Sequence, residues 1–123
     1  MNISEVADKT GVSPVTIRYY EKEGLIPSIE RKSGIRHFNE DDLGWIEFIK
    51  CMRNSGLSVE SLARYTSLYF KGDGTLVERQ NILKTELKKL EIKQKEINDT
   101  IDRLQGKIEN YDLLIKDANE RLF

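Results

Sequence analysis

Cysteine is nearly absent from this chain: Cys51 is the only one in 123 residues. A single thiol forms no intramolecular disulfide, so a disulfide-stapled scaffold is excluded. Histidine is equally scarce, with His37 alone. An enzyme would have to work through Cys51, and the sequence supplies no oriented base or oxyanion loop to go with it. No glycine-rich phosphate loop is present either. We therefore expect no catalytic residue, no metal and no cofactor. Charge of one sign is also lacking. The net charge is −1 although 33% of residues are charged, so no global basic field draws the chain to a polyanion, and any such attraction must be local. No apolar run approaches the roughly 18 residues needed to span a bilayer. The opening Met1-Asn2-Ile3-Ser4-Glu5 turns polar at once, unlike a secretory segment. The expectation is a cytoplasmic protein with no membrane partner, made of one small domain and an extension.

What is present centres on Ser13 to Phe38, SPVTIRYYEKEGLIPSIERKSGIRHF. Ser13 is a helix N-cap and Pro14 stands where its missing N–H costs nothing. The helix carries Thr16, Arg18, Tyr19, Tyr20 and Lys22 and stops at Gly24. Arg31-Lys32-Ser33-Gly34-Ile35-Arg36 follows, with Ser33-Gly34 as a hairpin turn between two short basic strands. Five lysines and arginines stand against three glutamates between Thr16 and Phe38. A shorter helix with the stripe Ile3, Val6, Ala7, Thr10 precedes and ends at Gly11. The Gly11-Val12-Ser13 link gives helix-turn-helix spacing. A groove-sized helix followed by a basic wing suggests a DNA-binding head.

Asn39 opens a third helix, with Asp42 completing a capping box. Its residues Leu43, Trp45, Ile46, Phe48, Ile49, Cys51 and Met52 are apolar nearly all round, which predicts burial between other elements. Ser58 caps a fourth helix through Phe70, and Lys71-Gly72-Asp73-Gly74 breaks it. Thr75 and Glu78 read as a second capping box. From there Leu83, Leu87, Leu90, Gln94, Ile97, Ile101, Leu104, Ile108, Tyr111 and Ile115 recur in steps of four and three. So narrow a stripe needs a partner helix. Leu83 to Ile115 would span roughly 50 Å at 1.5 Å per residue, with no turn signal inside, so the partner is a second copy. Position Gln94 could fix the register. Reversed pairing would bring Glu86 toward Lys107 and Lys84 toward Asp112, favouring an antiparallel coil. The expected organisation is a head over 1–72, a dimerisation helix over 75–115 and a tail over 116–123. Leu122 and Phe123 would pack back on the dimer.

Thr16-Ile17-Arg18-Tyr19-Tyr20-Glu21-Lys22-Glu23-Gly24-Leu25-Ile26, the wing Gly34-Ile35-Arg36-His37-Phe38, and Gly56-Leu57-Ser58 resemble the MerR family of bacterial transcription regulators. The resemblance implies a mostly helical fold, a winged helix-turn-helix head and an antiparallel coiled-coil homodimer through Leu83, Leu87, Leu90, Ile97, Ile101, Leu104 and Ile108. It implies promoter DNA as partner, RNA polymerase as an indirect one, and activation by bending and untwisting an over-long promoter spacer. Carried onto this sequence, Thr16, Arg18, Tyr19 and Lys22 would face the major groove or its phosphates. Arg36 would touch the backbone from the wing, and Arg53 and Ser58 would add phosphate contacts. The cap residue Ser13 joins these candidates. Tyr20, Leu25 and Phe38 would be core, while Glu21 and Glu23 would be solvated or paired to arginine. The family's wing usually has tyrosine where this chain has Ile35, so a phosphate-reaching hydroxyl is missing and Ile35 is expected to pack.

Drug-binding members of the family append a ligand domain, and none is expected within the few residues after the dimer helix. Metal-sensing members place cysteines near the end of the dimer helix, whereas this sequence has neither cysteine nor histidine after Cys51. Ile49-Lys50-Cys51-Met52-Arg53 resembles the small thiol-dependent, AdhR- and NmlR-like branch, which implies an aldehyde or electrophile sensor at Cys51. Two readings stay open beside it. Cys51 can be a small packing residue, with a non-covalent ligand as the signal. Alternatively, the head can bind protein in a coiled-coil adaptor.

Overall fold

A computed structural model describes residues 1–122. Five helices and one hairpin follow in the order α1 (Ile3–Thr10), α2 (Pro14–Lys22), β1 (Arg31–Lys32), β2 (Ile35–Arg36), α3 (Glu40–Asn54), α4 (Val59–Phe70) and α5 (Leu76–Leu122). A short 3₁₀ turn, Asp73–Thr75, precedes α5. Two compact units divide the chain at Glu86/Leu87, so the first unit includes the opening turns of α5.

Local chemistry sets the helix starts. Asn2 Oδ1 accepts from Glu5 N at 2.9 Å, and Ser13 Oγ accepts from Thr16 N at 3.2 Å. The capping box of α3 is complete: Asp42 N donates to Asn39 Oδ1 and Asn39 N to Asp42 Oδ2. Ser58 Oγ accepts from Ser61 N at 3.1 Å. Gly11, at φ +71°, closes α1 in the left-handed region, where a Cβ would also meet Lys50 Nζ at 3.1 Å. Lys50 donates from that position to Thr10 O at 2.7 Å, tying α3 to the end of α1. In the wing, Ser33 and Gly34 both have positive φ, which a tight two-residue hairpin of this hand requires. Arg31 pairs with Arg36 and Lys32 with Ile35.

The head's core is Val6, Val12, Ile17, Tyr20, Leu25, Ile26, Ile29, Phe38, Ile46, Ile49, Leu57, Leu62 and Leu68. Thr66 Oγ1 donates to Leu25 O at 2.8 Å and pins α4 to the segment after α2. The expected core roles of Tyr20, Leu25 and Phe38 hold.

Three expectations need correcting. Helix α3 is not buried on all sides. Ile46 and Ile49 face the core, but Cys51 is exposed and Trp45 and Phe48 are only half-buried. At 100° per residue Cys51 lies well round from the Ile46–Ile49 stripe, and nothing in the head covers that side. Ile35 does not pack: it is 68% exposed, because the two-residue strands lift it away from the core. The Thr75–Glu78 box is replaced by other bonds. Thr75 Oγ1 lies 2.7 Å from the carbonyls of both Leu68 and Gly72 and accepts from Arg79 Nε, while Glu78 pairs with Arg64 at 3.1 Å. The 3₁₀ turn redirects the hydroxyl to α4.

Helix α5 continues without a break through Lys116 to Leu122. Leu83, Leu87, Ile97, Ile101, Leu104, Ile108, Tyr111 and Ile115 are all exposed in the single chain. Phe123, which the sequence placed with the tail, lies outside the described residues. Among the described residues no helix is long and apolar enough to cross a membrane.

Candidate nucleic-acid interface

Helix α2 has two faces. Ile17 and Tyr20 are buried against the head. On the opposite side Val15, Arg18, Tyr19 and Lys22 are exposed, spaced i, i+3, i+4, i+7 along one strip. Thr16 sits at the edge, half-buried, and its hydroxyl accepts from Ser13 Oγ at 2.9 Å. Ser13 is therefore both the cap and a member of the exposed rim. Tyr19 stands beside Tyr20 with ring centroids 6.5 Å apart. Burial pushes the Tyr20 hydroxyl up, with the nearby Arg53 charge opposing.

The wing is attached to α2 through one carboxylate. Glu21 Oε1 accepts from Arg36 Nε at 2.8 Å, and Glu21 Oε2 accepts from Ile29 N at 2.7 Å. Arg31 lies at 3.9 Å on the same carboxylate. The Glu21 side chain is only 13% exposed. Burial alone would push its carboxyl up. The Ile29 and Arg36 hydrogen bonds and the Arg36 and Arg31 charges outweigh it, and the carboxyl is held below its ordinary value. Arg36 is thus first a wing anchor, and Glu21, expected only to be solvated or paired, positions the wing. Two arginines fifteen and ten residues downstream were the available signal. The rest of the wing base is stitched by backbone: His37 N donates to Glu30 O, Phe38 N to Met1 O, and the Met1 amine to Phe38 O.

Arg53 and Ser58 flank the α3–α4 turn. Arg53 Nη1 donates to Leu57 O at 2.8 Å across Gly56, whose φ is +95°. Arg53 remains exposed, as does Ser58. Away from this surface, Trp45 centres an aromatic cluster. The ring of Tyr69 is 5.1 Å away edge-on, with Phe70, Tyr65 and Phe48 at 6.0, 6.3 and 6.5 Å. Arg79 stacks over Tyr69 at 5.2 Å. These rings line a cleft of about 610 Å³ whose rim carries Glu40 and Asp41. Among the described residues no group of three His, Cys, Asp or Glu is placed to hold a metal ion.

A capped helix-turn-helix, an exposed cationic and aromatic strip and a two-stranded basic wing form a winged head. Residues 1–68 match the family model described as MerR HTH family regulatory protein. The chain belongs to the MerR family. The transcriptional regulator AdhR of Bacillus subtilis is 55% identical over 91 residues, covering 73% of this chain and 65% of that regulator. The chain therefore spans just under two thirds of that relative. A crystal structure described as a MerR-family transcriptional regulator from Listeria monocytogenes superposes with a TM-score of 0.94 at 44% identity, covering 99% and 93% of the two chains. HiNmlR, a MerR family regulator lacking the sensor domain and solved bound to promoter DNA, gives a TM-score of 0.81 at 31% identity, covering 90% and 89%. The MerR architecture accounts for the helix order, the wing and the long last helix. These relatives are named as transcription regulators, a non-enzymatic role.

Proposed function

We propose that this MerR regulator binds promoter DNA as an antiparallel homodimer, placing two copies of α2 in successive major grooves. The observation that carries the reading is the exposed strip of α2, with Arg18, Tyr19 and Lys22 opposite a buried Ile17 and Tyr20. Arg18 and Lys22 meet base edges or phosphates, Tyr19 and Thr16 contact sugar and phosphate, and Ser13 lies at the backbone. Arg53 and Ser58 reach phosphates beside the α3–α4 turn, and Arg36 combines wing anchoring with a backbone contact. The stripe of Leu83, Leu87, Leu90, Ile97, Ile101, Leu104 and Ile108, exposed in the single chain except for the half-buried Leu90, forms the homodimer seam. Bending and untwisting the spacer brings over-spaced promoter elements into register for RNA polymerase. Transcription in vitro from the native promoter and from one with an ordinary-length spacer tests this. Dependence on the regulator should disappear with the shortened spacer; equal dependence on both contradicts distortion.

The signal we assign to Cys51. Its exposure makes the sulfur reachable. The thiolate attacks an aldehyde carbon, the C–S bond forms, and the carbonyl π pair moves to oxygen, which takes up the proton. The adduct adds bulk on the outer face of α3 and shifts the head. Intact mass with and without formaldehyde or methylglyoxal tests it. A discrete adduct absent from Cys51→Ala, with promoter output changing in step, is expected. An unmodified Cys51 together with a normally responding Cys51→Ala contradicts it. The aromatic cleft beside Trp45 favours a second reading, in which a non-covalent small ligand carries the signal and the exposed Cys51 takes no part in it. An adaptor head that binds protein has no such observation in its favour.

A further inference from the structure

We propose that Val15 is a specificity-determining residue that reads the 5-methyl group of a thymine in the major groove. The inference rests on the DNA-binding reading above and deepens it. Val15 is the second residue of α2 and is 72% exposed. An exposed valine alone needs no explanation. Its neighbours on the strip are what single it out. Arg18 lies one turn on, Tyr19 four residues on and Lys22 seven on.

A protein partner would call for further apolar groups on this strip, and there are none besides the tyrosine ring. The cationic flank selects a polyanion, and the apolar group that DNA presents in its major groove is the thymine methyl. Position agrees with chemistry, because the N-terminal residues of a recognition helix are the ones that reach base edges. The side chain is also pre-set. In a helix valine keeps largely to one χ1 rotamer, so its two methyls are held in place without further ordering. Having no donor or acceptor, Val15 leaves a cytosine amine or guanine oxygen unpaired when either replaces the thymine. It thus works by rejection as well as attraction.

The test uses the wild-type homodimer and a random-sequence, unmethylated duplex library, in which thymine is the only source of a 5-methyl group. The duplex recovered by selection is remade with single thymines replaced by deoxyuridine, which removes the methyl and nothing else. One thymine per half-site should then matter. Its replacement weakens wild-type binding about fourfold, and both half-sites together about fifteenfold. Val15→Ala should lose that sensitivity, keep the salt dependence, and unfold at or above the wild-type temperature, since alanine favours an exposed helix site. Deoxyuridine effects that are equal in wild type and Val15→Ala overturn the proposal, as does selection of half-sites with no fixed thymine. If the wild type selects and binds no duplex at all, the DNA-binding reading fails and takes this one with it.

Discussion

At the scale of single residues, the head depends on side chains that each join two elements. Glu21 is the clearest, since one half-buried carboxylate holds Ile29 N and Arg36 and draws in Arg31. Its folded-state carboxyl lies below the ordinary value. The stability it contributes is therefore complete above the unfolded glutamate value of about 4.3 and is lost as pH falls through the lower folded value. Glu21→Gln should unfold more easily than wild type at neutral pH, with the difference shrinking toward pH ~3. Thermal unfolding across that range checks this, and a constant difference contradicts it. Arg18 makes the opposite kind of prediction. No hydrogen bond or ion pair of the head rests on it, so Arg18→Ala should fold normally and lose about 1–3 kcal/mol of DNA affinity. Anisotropy titration beside an unfolding curve separates the two effects.

Elements were legible in the sequence wherever their cause is local. Ser13, Asn39 and Ser58 cap the helices that follow them, and Ser33-Gly34 turns the wing, because such bonds close within a few residues. What was not legible depends on groups far apart in the chain. Thr75 was diverted by α4, Ile35 by the height of the wing, and Cys51 by the absence of anything in the head over that side of α3. Of the candidate site, Arg18, Tyr19 and Lys22 were found as cationic and aromatic residues on one face. Val15 was not legible as a contact residue, because its side chain carries neither charge nor a hydrogen-bonding group. Gly11 joins the local and distant causes. Its positive φ ends α1, and Lys50 Nζ stands 3.1 Å from where a Cβ would go. Gly11→Ala should cost about 1–2 kcal/mol from the left-handed backbone alone, with some further loss from displacing Lys50. Chemical unfolding should register it as a lower midpoint with an unchanged slope.

The whole molecule is a head and a long helix whose apolar stripe is uncovered in one chain. Ile97 and Ile101 stand on that stripe as exposed residues. Ile97→Lys with Ile101→Lys should give a monomer by light scattering while the head keeps its fold. It should also bind a two-half-site duplex far more weakly, because the second head no longer binds as an intramolecular event. The most direct measurement is the affinity of the wild-type dimer for its promoter duplex as a function of salt. DNA binding by the head requires that log affinity fall linearly and steeply with log salt, as counterions are released. It also requires that Arg18→Ala or Lys22→Ala make the slope shallower by about one per lost phosphate contact. Affinity that is flat in salt, or no retention of the duplex at low salt, would contradict it and return the head to a protein-binding role.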